Sequence, residues 1–475
     1  MKLQFHWWVL SFLAIILIRN FLESILEKPY ILGFSRDIFE SQMLFFGHYT
    51  LWHIGSLFLL SLILHSVTKV KIEKITKVVI SFYWITCLVP VADFIIGQGQ
   101  GFIIVYATGW KQLLKFLNPV ILYNPFNNAE VLTPSIKSEL LVALILISTY
   151  ILSRTRKFFF LITGLILYHL IFVSFYVAGA GLLFSEILYQ GTGVQLAGRS
   201  FYHALFFGDS LVASPHQRFS AFFLIVSLLF FLIWFYHYNR KKFLLAMKNI
   251  RIMRALHYML LALSGVFLGR FCLGREFAGP FSNPFDYFAV FSLLVSIVLA
   301  WASGVVINDY FDKEQDKERN PLVTGKFSVY EYFIMGGAYT IIALALSLCI
   351  NYSAFLILVF YLSLHLLYSA PPLRIKRILL LNNAFISLKS FSAFIFGYSI
   401  FGREDTIVKF PLEMMLALLC FYFLASNIIH LKDVREDRKA NVLTIPVVLG
   451  QKWGKIVLAA CLFLAFISTL SLIHI

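Results

Sequence analysis

Apolar stretches about twenty residues long recur from one end of the chain to the other, separated by short polar and mostly basic connections. A helix of that length crosses a hydrocarbon core of roughly 30 Å, whereas the strands of an outer-membrane barrel need only about ten residues. The pattern therefore predicts membrane-spanning helices. In the C-terminal half they are expected near 256–274, 286–307, 329–349, 353–370, 379–401, 411–431 and 455–474. In the N-terminal half they are expected near 8–27, 45–66, 76–97, 137–153, 158–186 and 218–238. The first run, "WWVLSFLAIILI", continues through Arg19 and Asn20 without a small-residue cleavage site, so it reads as a retained span rather than a signal peptide. The segment "GWKQLLKFLNPVI", Gly109–Ile121, is too short and too charged to cross and suits a helix lying in the interface.

Composition sharpens this to an integral membrane protein of the all-α class. Of 475 residues, 60% are hydrophobic and 13% charged, against roughly 45–50% and 25% in ordinary soluble domains. Five cysteines without paired spacing suggest neither a disulfide framework nor a zinc site, and read as small buried hydrophobes. The formal charge of +16 would raise the question of nucleic acid, but the spans exclude a soluble nucleic-acid binder. The basic residues instead gather in alternate loops: Lys69 to Lys77, Arg154 to Lys157, Arg240 to Arg254, Lys313 to Lys326, Arg374 to Arg377, and Lys432 to Lys455. That asymmetry marks those loops as cytoplasmic. The basic connector Tyr238–His257 is the expected boundary between an N-terminal membrane domain, 1–240, of about six spans and a second domain, 241–475, of about seven.

Carboxylates are scarce and clustered. Asp309, Asp312, Glu314, Asp316 and Glu318 crowd "NDYFDKEQDKERNP", and Asp433, Glu436 and Asp437 lie in "HLKDVREDRKANVLTIPVVLG"; together these are eight of the 24 in the chain. Asn308, Asp312 and Asp316 fall at i, i+4 and i+8, and Asp433 and Asp437 at i and i+4, each set along one helix face. A solvated acidic helix end would look the same for either cluster alone. Two such stripes at span ends on one side of the membrane suit a hard divalent cation such as Mg²⁺, which takes few carboxylates and then phosphate oxygens. Between them "YSAPPLRIKR", Tyr368–Arg377, stops its helix at a double proline and adds Arg374, Lys376 and Arg377, completing a cradle for a diphosphate.

These three stretches resemble the motifs of the UbiA superfamily of intramembrane prenyltransferases, in the order and at the span ends that family uses, over about residues 250–475. The resemblance implies a UbiA-like prenyltransferase bundle with a cytoplasm-facing cavity, preceded here by the additional membrane domain. It implies that Mg²⁺ held by Asn308, Asp312 and Asp316 and by Asp433 and Asp437 binds a polyprenyl diphosphate, with Asp309 as a helper. Arg319, Arg374 and Lys376 would contact the diphosphate, and Tyr368 and Ser369 would sit near the allylic carbon or the acceptor. The acceptor would be aromatic, a quinone precursor or a lipid, and the setting a cell inner membrane with the motifs on its cytoplasmic side. A non-catalytic isoprenoid binder or transporter derived from this fold is the rival reading.

Lys389, in "ISLKSFSAF", is a charge deep within a span and shares a face with Asn382; it either lines the cavity or pairs with another polar group. The N-terminal half shows no motif of comparable strength. "GQGQG", Gly97–Gly101, is a loop rather than a nucleotide fingerprint. Asp93 and Glu186 near span ends, and His203, Asp209 and His216 in an outer loop, are the residues there that could form a site, but their irregular spacing reads as ordinary interfacial polarity.

Overall fold

A computed structural model describes residues 5–26, 38–99, 118–126, 133–180, 215–273, 284–313, 320–401, 410–427 and 443–472, with Leu211, Val434 and Arg438. Asp316, Arg319, Asp433 and Asp437 lie outside the described residues, as do Glu186, His203, Asp209, the side chain of His216 and most of the expected interfacial segment. Among the described residues there are helices and no strands. Among the described residues ten helices are long and apolar enough to cross a membrane, while Phe158–Leu170 and Leu412–Ser426 are shorter apolar helices. The protein is an integral membrane protein.

The chain divides into two compact units, Met1–Phe207 with Ser214–Phe243, and Gly208–Ala213 with Leu244–Ile475. The first unit contains α1 (Phe5–Leu26), α2 (Ile38–Thr68), α3 (Ile72–Tyr83), α4 (Leu88–Ile96), α5 (Pro119–Tyr123), α6 (Pro134–Thr155), α7 (Phe158–Ala180) and α8 (Pro215–Tyr238). Between α3 and α4 the helix tightens to a 3₁₀ turn at Trp84–Cys87, just ahead of Pro90, which has no N–H to give the preceding turn. α6 starts on Thr133, whose hydroxyl accepts from the Ile136 N–H at 3.2 Å, with Pro134 in the first turn. Phe12, Ile16, Leu57, Leu64, Ile75 and Ile151 form its core.

That core encloses unusual polarity. Arg19 and Glu23, one helical turn apart, pair at 2.6 Å and are both buried. The His53 ring meets the Tyr83 hydroxyl at 2.9 Å. Asp93, read from sequence as interfacial, is only 2% exposed and accepts a 2.8 Å hydrogen bond from Thr133. The pairing is what makes burial tolerable, because an unpaired ion in a low-dielectric interior costs several kcal/mol.

The second unit contains most of α9 (Arg240–Asn249), then α10 (Ile252–Leu273), α11 (Pro284–Phe311), α12 (Val329–Leu348), α13 (Tyr352–Ser369), α14 (Leu381–Tyr398), α15 (Leu412–Ser426) and α16 (Ile445–Leu472). α11 and α14 are its most enclosed spans. Ala289, Leu293, Ile297 and Ala300 of α11 have no exposed surface, and their spacing follows one face of a helix. α12 opens on a capping box of Ser328 and Glu331, and α13 on Asn351, whose side chain accepts from the Ala354 N–H at 2.7 Å.

α10 and α14 approach so closely that glycine is required on both. A Cβ at Gly265 would lie 1.9 Å from the Phe394 carbonyl oxygen, and one at Gly397 would lie 1.8 Å from that of Ala262. In lipid, where helices gain little from hydrophobic burial against each other, such backbone contact supplies the packing. Gly397→Leu is therefore expected to cost more than about 3 kcal/mol, because backbone must move to admit the side chain. Loss of the monodisperse peak in detergent size-exclusion chromatography is the readout; an unchanged profile and melting temperature would refute the crossing.

Candidate functional site

Asn308 and Asp312 sit at the C-terminal end of α11, one turn apart, with the Asp312 N–H bonded to the Asn308 carbonyl at 2.9 Å, so the helical path carries both to the same face. Opposite them runs the loop between α13 and α14. Its Arg374 donates from Nη2 to Asp312 Oδ1 at 2.7 Å and to the Phe311 carbonyl at 3.1 Å. The Lys376 ammonium donates to Asp312 Oδ2 and, at 3.1 Å, to Asn308 Oδ1. Ser369, the last residue of α13, donates to the same Asn308 oxygen at 3.2 Å. Arg374 is held in the left-handed backbone region, φ 42° and ψ 52°, a conformation that costs a non-glycine residue about 1–2 kcal/mol. The two bonds its guanidinium makes to the end of α11 offset that strain.

The electrostatics favour an anion beside a cation site. Asp312, Arg374 and Lys376 side chains are 16%, 18% and 11% exposed, so solvent screens them far less than surface charges. Burial pushes the Lys376 ammonium below the ordinary lysine range, Asp312 pulls it back up, and Arg374 and Arg377 push it further down. Among the described residues, Asp312 is the one carboxylate here against those three cations. Arg374 Nε is buried with no hydrogen-bond partner among the described residues, a donor left over for a ligand. A hard cation also fits: Asn308 Oδ1 and an Asp312 oxygen already converge on one positive charge, the Lys376 ammonium, with the neutral and anionic oxygens Mg²⁺ prefers.

Asp309 points elsewhere. It is 3% exposed and accepts from Arg251 Nη2 and from the Tyr332 hydroxyl, both at 2.7 Å, while its own carbonyl accepts from Asn320 Nδ2 at 2.6 Å. Asn249 joins the network through Tyr332 at 3.1 Å. These contacts tie the end of α11 to α9, α12 and the loop after the first acidic motif. They set Asp309 to position Asn308 and Asp312.

Tyr368 and Lys389 meet behind the cluster. Lys389 is 4% exposed and its ammonium lies 3.7 Å from the centre of the Tyr368 ring, a cation–π contact. The Tyr368 hydroxyl donates to Asn382 at 3.0 Å. Asn382 and Lys389, seven residues apart on α14, thus both reach one tyrosine of α13. One turn back from Ser369, His365 is buried edge-on to Tyr361 and Trp301, with ring centres 4.8 and 5.7 Å away. His365 Nε2, the Tyr361 hydroxyl and Trp301 Nε1 have no hydrogen-bond partner among the described residues. A Cβ at Gly304 would lie 2.4 Å from His365 Nδ1, so the glycine leaves room for the ring.

Sequence reasoning passed over Arg251, Tyr332 and the His365 cluster. Arg251 looked like one more topology signal in a basic run, and nothing local announces a partner beyond α10. The histidine had a usable signal, since a titratable group inside a span is rare. Asn383 and Asn427 were missed too; they hydrogen-bond each other between α14 and the end of α15, shortly before the second acidic motif.

Residues 271–475 match the UbiA prenyltransferase family. The digeranylgeranylglyceryl phosphate synthase of Pyrococcus horikoshii is 27% identical over 182 residues, 37% of this chain and 62% of that protein. The synthase of the same name from Methanothermobacter thermautotrophicus is 29% identical over 191 residues, 38% of this chain and 63% of that protein. The chain thus spans somewhat less than two thirds of the length of these curated relatives. A solved UbiA homolog from Archaeoglobus fulgidus, bound to GPP and Mg²⁺, aligns with a TM-score of 0.40 and 23% identity over 47% of this chain and 75% of its own. The family match coincides with the part of the chain that carries all three motifs, and residues 271–475 are a UbiA prenyltransferase family domain.

Proposed function

We propose that the C-terminal domain, 241–475, transfers a polyprenyl group from a polyprenyl diphosphate to a hydrophobic acceptor within the membrane. The observation that carries this reading is the convergence of Asn308, Asp312 and Lys376, with Arg374 alongside holding an unused buried donor. Asn308 and Asp312 would hold Mg²⁺, with Asp316, Asp433 and Asp437 as further ligands. When bound, the ion neutralises diphosphate charge as it develops. Arg374, Lys376 and Arg319 bind the remaining diphosphate oxygens and favour the leaving group over the intact ester. The bond from the allylic carbon to oxygen breaks with its electrons going to diphosphate. The acceptor's nucleophilic atom then bonds that carbon, and its proton passes to the released diphosphate. Tyr368 offers a π-face near the allylic carbon, and the apolar surroundings keep water from capturing the cation.

The named activity of the two relatives favours a glyceryl phosphate carrying one prenyl chain as acceptor, ahead of an aromatic ring or quinone precursor. The three unpartnered groups at His365, Tyr361 and Trp301 are suited to orient its polar atoms. The alternate basic loops favour the cytoplasmic face for the motifs, and the setting we propose is a cell inner membrane. The test is to supply purified protein with Mg²⁺, geranylgeranyl diphosphate and, separately, geranylgeranylglyceryl phosphate or an aromatic acid, and to identify products by mass spectrometry. A doubly prenylated glyceryl phosphate supports the lipid acceptor. Product from the aromatic acid alone replaces it, and stoichiometric isoprenoid binding with no product from either favours the non-catalytic reading.

Lys389→Met is expected to separate activity from stability. Exchanging a buried ammonium for a thioether of similar length removes a desolvation cost, so the melting temperature should hold or rise. Transfer should fall about tenfold as the contact on Tyr368 is lost. Equal activity with raised stability would assign Lys389 to packing alone.

A further inference from the structure

The N-terminal unit contains a cavity of about 330 Å³, walled mainly by apolar side chains of α2, α3, α6 and α7. Its size falls at the lower end of small-molecule sites, and at roughly 30 Å³ for each water-sized group it holds about a dozen non-hydrogen atoms. Phe82 and Val142, both in its wall, are 47% and 40% exposed on spans. The wall on that side is thus formed by side chains that also face the hydrocarbon of the bilayer.

Polar atoms in the wall are left without a hydrogen bond among the described residues, Trp52 Nε1 and Ser56 Oγ among them. Ser56 is 9% exposed, and its hydroxyl is buried without a hydrogen-bond partner among the described residues. Glu139, early in α6, makes no ion pair or hydrogen bond among the described residues. The polar groups nearby each hold a partner elsewhere, Tyr83 on His53, Arg19 Nη1 on Glu23 and Asp93 Oδ2 on Thr133, although Arg19 Nε and Asp93 Oδ1 are buried without a hydrogen-bond partner among the described residues. Lys137, two residues earlier on α6, lies about 200° around the helix from Glu139. Arg19 is the cation within electrostatic range of Glu139, and Glu23 and Asp93 lie within range as well. The spare capacity of Glu139 is therefore for a hydrogen-bond donor. A carboxyl group inside a span, unpaired and facing a cavity, is costly to keep for packing alone.

We propose that this cavity is a binding site for a single-chain amphipathic lipid with a hydrogen-bond-donating head, its chain filling the apolar space and its hydroxyl or ammonium bonding to Glu139 and Ser56. The occupant enters sideways from the membrane. This site is separate from the diphosphate cluster, stands on residues of the first unit alone and does not depend on the prenyltransferase reading.

The test uses the full chain in lipid nanodiscs and three ten-carbon probes carrying a photoactivatable diazirine: an alcohol, the matching primary amine and the matching methyl ether. Crosslinks of the alcohol or amine are expected in segments 52–64, 78–86 and 139–153. The ether, lacking a donor, should bind about tenfold more weakly to the wild-type protein, and Glu139→Leu should weaken the alcohol and amine to the same level. Preference for the amine identifies a cationic head and preference for the alcohol a neutral one; either supports the site. Equal binding of all three probes, crosslinks confined to other segments, or displacement by excess geranyl diphosphate with Mg²⁺ would overturn it. The ether comparison decides the matter even if Glu139→Leu does not fold.

Discussion

Asp312→Asn is expected to lower the rate of diphosphate release from a prenyl diphosphate by about 10³-fold or more, with a modest fall in melting temperature. Asp312 carries the charge at the point where Arg374, Lys376 and Asn308 converge, so its loss removes the proposed metal ligand and the anchor of both cations together. One preorganised electrostatic contact to a developing oxyanion is worth about 10²–10³ in rate, and here two functions fall at once. Folding loses less than activity because asparagine keeps the shape and can still accept from Arg374, although Arg374 and Lys376 are left without the carboxylate that compensated them. Release measured with a coupled phosphate assay over a range of Mg²⁺ checks it. A variant restored to full rate by more Mg²⁺ would make Asp312 a ligand that affects affinity alone; a variant as fast as wild type throughout would remove it from the site.

The second large effect concerns stability. Arg251→Met is expected to destabilise the protein by about 2–4 kcal/mol, because it strips the cation from a carboxylate whose side chain is only 4% exposed. Tyr332 still donates to that carboxylate, which keeps the cost toward the lower part of the range for broken buried pairs. Asp309→Asn introduced into the Arg251→Met background should recover much of the loss, since the uncompensated charge rather than the missing bond carries the penalty. Thermal unfolding in detergent of the two singles and the double closes the cycle. Additive losses would show that the two residues act separately.

The same two residues show where sequence reading stops. The Asn308 and Asp312 pair was legible because a four-residue step fixes a common helix face before any packing is known. Asp309 sits between them in sequence and across the helix in space, so its direction was predictable while its partner was not. Arg251 comes from another helix, inside a basic run whose charge already had a sufficient explanation in topology. Lys389 stood out from sequence because charge within a span is expensive, yet only packing brings Tyr368 beneath it. The α10 and α14 crossing was invisible for a related reason: Gly265 and Gly397 are ordinary glycines in apolar runs until their backbones meet. In the N-terminal unit, Asp93 was read as interfacial because its partner Thr133 belongs to the start of α6, far along the chain.

In the proposed function the two acidic motifs and the basic loop between them act as one metal-dependent diphosphate site. The most direct measurement is prenyl-diphosphate cleavage by the detergent-purified chain, with and without chelator, for the wild type, Asp312→Asn and Asp437→Asn. Cleavage is expected to need Mg²⁺ and to be lost in both variants, while each still binds its substrate's prenyl chain. Cleavage that survives chelation, or that Asp437→Asn leaves intact, would contradict it.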